Sequence, residues 1–136
     1  MYVLCKSVLD RNSLSVLLQV WTGVPIHEII KHCGGLKDQA EYINFFGPVG
    51  EVQNGDRTYG ASHFRDHMMD PKRTAMLAFM QNGELLHPDH GYPVRLLIPG
   101  YIGGRMIKWV EKITVTAEED KNWSAAAAPW DRSSPD

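Results

Sequence analysis

Cysteine is scarce in this chain of 136 residues: only Cys5 and Cys33 are present, and they do not stand at CxxC spacing. That excludes a disulfide framework and the common zinc and redox motifs, and it fits an intracellular, cytoplasmic setting. Long apolar runs are absent as well. The stretch from Leu14 to Leu18 falls far short of the ~20 apolar residues that span a bilayer. Lys6, Asp10 and Arg11 interrupt the segment that a signal peptide would keep apolar. Excess charge of either sign is missing too. A net charge of -2 gives no global reason to bind nucleic acid or an anionic membrane, so any anion site must be local. No internal repeat is visible, and Ser62 lacks the GxSxG setting of a serine nucleophile. GYIGG at residues 100–104 has neither the spacing of a dinucleotide fingerprint nor that of a phosphate loop.

The most informative absence lies between Asp89 and Glu111, where no carboxylate occurs. Across that gap stand Arg95, Arg105 and Lys108, with His90 as a further candidate cation. Pro93 and Pro99 stiffen the backbone, and Gly100, Gly103 and Gly104 are expected to take conformations closed to other residues. Cations beside glycines suit an anion, because side chains supply charge while bare backbone lets N–H groups approach phosphate oxygens. The plainer alternative is a strand and turn on a solvated surface.

What is present otherwise is ordinary for a globular protein, with 43% apolar and 22% charged residues. The length fits one domain with a real core. Residues 1–20 show no clean period. Trp21 to Gly23 read as a turn, and Pro25 to Cys33 as a short helix with Ile26, Ile29, Ile30 and Cys33 on one face, ended by Gly34 and Gly35. Strands are expected at Tyr42–Phe46, Thr74–Met80, Val94–Ile98 and Ile113–Thr116, with a surface loop from Gly47 to Gly60. Asn82-Gly83 is the strongest hairpin signal. His63 and His67, four apart, read as a solvated face rather than a metal pair. Residues 124–136, rich in Ala, Ser and Pro, read as a disordered tail.

DHGYPVRLLIPGYIGGRMIKW at residues 89–109 resembles the end of the molybdopterin domain of eukaryotic assimilatory nitrate reductase, within the sulfite oxidase family. The resemblance extends through MLAFMQNGELLHPDHG at 76–91, YGAS at 59–62, VWTGVPIHEIIKHCGG at 20–35 and WVEKITVTAEEDKNW at 109–123. GGRMIKW is more similar to nitrate reductase than to sulfite oxidase, although a sulfite oxidase-like homologue is the near alternative. The resemblance implies an α+β fold with a mixed sheet, short helices and long loops. It also implies a molybdenum-cofactor oxidoreductase that, in the full-length enzyme, reduces nitrate to nitrite by oxygen-atom transfer.

The implied ligand is Mo-molybdopterin, a pterin dithiolene ending in a phosphate. Carried over by position, His90 and Arg95 match its two side-chain contacts, and Met106, Ile107 and Lys108 match the segment lining pterin and phosphate. Gly103 and Gly104 add backbone donors. Charge-assisted bonds of this kind are worth roughly 1.5–3 kcal/mol each. Arg105 stands between an anion role and a structural ion pair, and no catalytic residue is nominated.

The family's Cys-Ala-Gly-Asn-Arg-Arg-like motif, whose thiolate binds molybdenum, has no match here, and Cys5 is not expected to replace it. The reading is therefore of a partial domain. Residues 1–19 are unmatched, residues 20–116 are the C-terminal part of the cofactor domain, and residues 117–136 begin a linker and tail. Full-length relatives are homodimers, but the dimerisation domain is not matched. A non-catalytic fragment without cofactor is the rival reading. Absent neighbours should leave apolar surface uncovered at Val94–Ile98 and Ile113–Val115, and the chain alone should not reduce nitrate.

Overall fold

The computed structural model describes residues 2–9, 16–49 and 58–119. The expected tail at 124–136 lies outside the described residues. Among the described residues, two antiparallel sheets and two short helices make up an α+β fold. No helix among the described residues is long and apolar enough to cross a membrane.

The first sheet begins with β1 (Tyr2–Leu9), paired along its length with β2 (Val16–Pro25). β2 pairs in turn with β5 (Met76–Gln81), which also pairs with β6 (Glu84–Leu85) and β7 (Arg95–Leu97). The expected turn at Trp21–Gly23 is instead the interior of β2, with Trp21 and Thr22 buried. Gly23 marks a register shift in the β2–β5 ladder, and a Cβ there would strike the backbone of Leu77 and Ala78. A glycine that reads as a break is here a point of close strand approach. The Asn-Gly hairpin forms as expected. Gln81 pairs with Glu84, and Asn82 and Gly83 take positive φ angles of 53° and 85°. Asn82 also exchanges hydrogen bonds with Val20, which ties the turn to β2.

The second sheet has the order β4–β3–β8, built from β3 (Tyr42–Val49), β4 (Thr58–Phe64) and β8 (Lys112–Thr116). Both β3 and β4 run into the expected Gly47–Gly60 loop, with a register shift after Phe46. Asn44, buried at the centre, links all three strands. Its Nδ2 donates to Thr116 Oγ1 at 2.9 Å, and its Oδ1 accepts from Ser62 Oγ at 2.5 Å. A buried amide costs several kcal/mol when unpaired, on the order of 2–7 by transfer data, so these bonds fix the register.

Helix α1 (Ile26–His32) starts directly after Pro25 and ends at Gly34 and Gly35, both with positive φ. Helix α2 (Arg65–Met69) is a single turn following β4. Two hydrophobic clusters result. Ile26, Ile43, Phe45, Met68, Leu96 and Ile107 belong to one; Trp21, Met76, Leu86, Leu97 and Met106 form the other. Neighbouring residues of β7 thus enter different cores, as alternation along a strand requires. The expectation of bare apolar surface at Val94–Ile98 is corrected here, because Leu96, Leu97 and Ile98 are all buried. Only Val115 of the second expected patch is exposed.

Candidate functional site

The carboxylate-free stretch leaves β7 between the two cores, so its flanking cations are held by packed backbone. Before β7, Pro88–His90 form a 3-10 turn ended by Gly91, whose φ is 109°. Gly91 N closes this turn on Pro88 O at 3.1 Å, while the carbonyls of Asp89 and His90 lie past its own ladder. Three side chains from further along the chain supply donors. Trp109 Nε1 donates to Pro88 O at 2.7 Å, Lys108 Nζ to Asp89 O at 3.0 Å, and Arg95 Nη1 to His90 O at 3.0 Å. A Cβ on Gly91 would lie 3.0 Å from the Cβ atoms of both Arg95 and Lys108, so the two cations leave the backbone side by side above it. Lys108 Nζ also sits 4.2 Å from the Trp109 ring centroid. His90 completes the group at the surface, its Nδ1 2.8 Å from Gln81 Oε1.

These bonds use only part of each cation's capacity, since an ammonium has three donors and a guanidinium five. Arg95 lies half-buried, its guanidinium carbon 5.2 Å from the Trp21 ring centroid. Burial pulls its pKa below the usual arginine value. Arg95 Nε and Trp21 Nε1 are both buried, and neither has an acceptor among the described residues. Buried unpaired donors are rare in native structures and call for an explanation.

The second part of the site is the loop from Tyr101 to Arg105, with a 3-10 turn at Gly103–Arg105. Three side chains of β4 and α2 hold it. Tyr59 donates its hydroxyl to Gly104 O at 2.6 Å, His63 Nε2 meets Arg105 O at 3.2 Å, and His67 Nδ1 lies 2.5 Å from the Tyr101 hydroxyl. His63 is buried on a strand and His67 sits on the helix beyond it, so the solvated-face reading fails for His63. Desolvation is the main cause that lowers the His63 pKa to about 4, with Arg105 and His67 adding repulsion.

Gly103 and Gly104 do not need glycine's freedom, contrary to expectation; among the trio, only Gly100 has a positive φ. Nothing lies within 4 Å of a Cβ built on Gly103, and a Cβ on Gly104 meets only the Tyr59 hydroxyl, at 3.7 Å. The first amides of a helical turn fall outside its own hydrogen-bond ladder. Both glycines are exposed, with room about their Cα atoms. Met106 and Ile107 follow with buried side chains, so only their backbone can face a ligand. Leu96 N donates to Ile107 O at 2.8 Å, which carries this segment alongside β7 and Arg95.

Arg95, Lys108 and His90, the cations nominated from sequence, are gathered by the fold at one turn. Sequence alone gave no warning of Trp21, Tyr59 or His63, which lie far off in the chain and become neighbours only through strand pairing. Among the described residues, no group of three or more His, Cys, Asp or Glu could hold a metal ion, and Cys33 is an exposed free thiol.

Known families and proteins resemble this chain over most of its length. The oxidoreductase molybdopterin binding domain matches residues 7–124. Spinach (Spinacia oleracea) NADH nitrate reductase is 47% identical over 114 residues, covering 82% of this chain and 12% of that protein. Inducible NADH nitrate reductase 1 of Glycine max is 51% identical over 102 residues, or 74% of this chain and 12% of the relative. The chain thus spans about an eighth of the length of these curated relatives. Among solved structures, the sulfane dehydrogenase SoxCD from Paracoccus pantotrophus aligns with a TM-score of 0.64 at 29% identity, over 76% of this chain and 24% of that one. The chain belongs to the oxidoreductase molybdopterin binding domain family.

Proposed function

We propose that this chain supplies one wall of the cofactor site in a molybdenum-cofactor oxidoreductase of nitrate reductase type. The observation that carries the reading is the placing of Arg95 and Lys108 side by side at the Pro88–Gly91 turn, beside His90, with donors that their protein bonds leave unused. Two exposed glycines, Gly103 and Gly104, that neither packing nor a positive φ requires support it. An oxygen-rich anion such as a pterin phosphate suits these unused donors, and a neutral apolar ligand does not.

In this reading Arg95 and Lys108 take the phosphate, the first through its planar fork and the second as a point charge. His90 borders the same turn, and Gly103 and Gly104 offer amides to the anion. The backbone of Met106 and Ile107 lines the pterin. When bound, the cofactor supplies two-electron oxygen-atom transfer, by which nitrate becomes nitrite. Any metal would be held by the pterin's own sulfurs together with groups other than the described side chains. Nitrate is preferred over sulfite as substrate because identity to the NADH nitrate reductases reaches 47–51%. A cytoplasmic setting belongs to the same reading.

The test is a titration of purified chain with molybdopterin, followed by pterin fluorescence. Saturable binding is expected, weakened by added salt and by Arg95→Met or Lys108→Met. Binding indifferent to both substitutions would sink the assignment.

A further inference from the structure

We propose that His63 and His67 are positioning residues: from β4 and α2 they fix the Tyr101–Arg105 loop, and with it the two exposed glycines, Gly103 and Gly104. The inference rests on the cofactor reading for the purpose of the loop, but its geometry stands apart from any ligand.

The chemistry at His63 leaves little choice. Its Nε2 faces the Arg105 carbonyl oxygen, which can only accept, so the hydrogen must be on Nε2. Nδ1 then carries the lone pair. The ring is clasped edge-on by Phe45 and Tyr101, with centroids 6.0 and 5.4 Å away. The charged and titratable groups around it are Arg105 on the loop, His67 on α2 and Tyr101, beyond which lies Arg73. A proton added to this buried ring would stand next to Arg105, so the neutral form is the working one. His67 holds the other end of the loop through the Tyr101 hydroxyl, whose pKa burial raises, keeping it a phenol.

The pattern is not that of a histidine merely filling a core. Both rings direct a polar atom at the same five-residue loop, one at each end, and a third bond from Tyr59 reaches its middle. Arg105 N and Met106 N, which close the 3-10 turn on Ile102 O and Gly103 O, therefore report whether the loop is held.

The experiment uses the full chain, isotopically labelled. At pH 7 the ring nitrogens of His63 should show Nε2 protonated and Nδ1 bare; the opposite tautomer overturns the proposal. His63→Leu should speed exchange of the Arg105 and Met106 amides by about tenfold, the scale of one lost hydrogen bond. His63→Gln, which returns an N–H donor of similar reach, should restore most of that protection. Tyr101→Phe should loosen the same amides while disturbing the fold less. The Leu96 amide, bonded to Ile107 in the core, is the control and should change little. Equal acceleration of Leu96, or none at Arg105 and Met106, overturns the proposal. Should His63→Leu not fold, the ring tautomer and the Tyr101→Phe exchange still decide it. If the loop behaves as described but molybdopterin leaves the Gly103 and Gly104 amides unmoved, the positioning role holds and the cofactor reading fails.

Discussion

Arg95 lies over the indole of Trp21, its guanidinium carbon 5.2 Å from the ring centroid, and each of the two side chains has a buried N–H without an acceptor among the described residues. The contact joins β7 to β2 across β5, so the polar pair is built into the first sheet's core face. Their stacking offsets part of the cost of burying a cation, and what it leaves unsatisfied is directional capacity for an acceptor.

Replacing Arg95 with Lys keeps the charge but loses the planar fork and the stacked contact with Trp21. A stability loss of roughly 1–2 kcal/mol is expected from the hydrogen bond to His90 and the cation–π contact together. Urea unfolding followed by circular dichroism measures it. An unchanged midpoint would mean that the Arg95–Trp21 contact and the His90 bond contribute nothing to the fold.

Three glycines should respond differently to alanine. Gly91→Ala combines a positive φ with a Cβ 3.0 Å from those of Arg95 and Lys108, so a loss above about 2 kcal/mol is expected. Gly83→Ala has the strained φ but open space, and should cost about 1 kcal/mol. Gly103→Ala has neither problem, so stability should hold within roughly 0.5 kcal/mol while molybdopterin binding weakens. Equal losses at all three positions would contradict the geometry.

His63 makes stability depend on acid. Its pKa falls to about 4 in the fold from an ordinary 6.5, so the unfolded chain takes up a proton first. Its contribution is present above pH 6.5 and is progressively lost as pH falls through the window to about 4. The full loss from this group is on the order of 3 kcal/mol. Unfolding midpoints compared at pH 7 and pH 4.5 should show a decline that His63→Gln reduces. A decline of the same size in the variant would place the cause elsewhere.

Much of the fold could be read locally. Asn82-Gly83 demands a tight hairpin, Pro25 and Gly34 bracket a helix, and the expected strand at Val94–Ile98 is realised as Arg95–Leu97 between two cores. Trp21–Gly23 misled because a glycine within a strand resembles a turn until the facing strand is known, and here the backbone of Leu77 and Ala78 explains it. His63 misled because the chain changes from strand to helix at Phe64 and Arg65, so the four-residue spacing to His67 is not a helical one. Within the candidate site, nearness in sequence nominated Arg95 and Lys108. Trp21 and Tyr59 come from segments whose approach depends on long-range pairing, which no local pattern encodes.

The central claim is that Arg95, Lys108 and the Gly103 and Gly104 amides take one anionic ligand, with the Trp21 indole reporting on the Arg95 stacked over it. The most direct measurement is a nitrogen–proton correlation spectrum of the full chain during a molybdopterin titration. The Trp21 indole N–H and the Gly103 and Gly104 amides should move together along one saturation curve, while the Gly83 amide of the hairpin stays in place. Saturable binding that leaves these three signals unmoved, or shifts Gly83 as much, would contradict it.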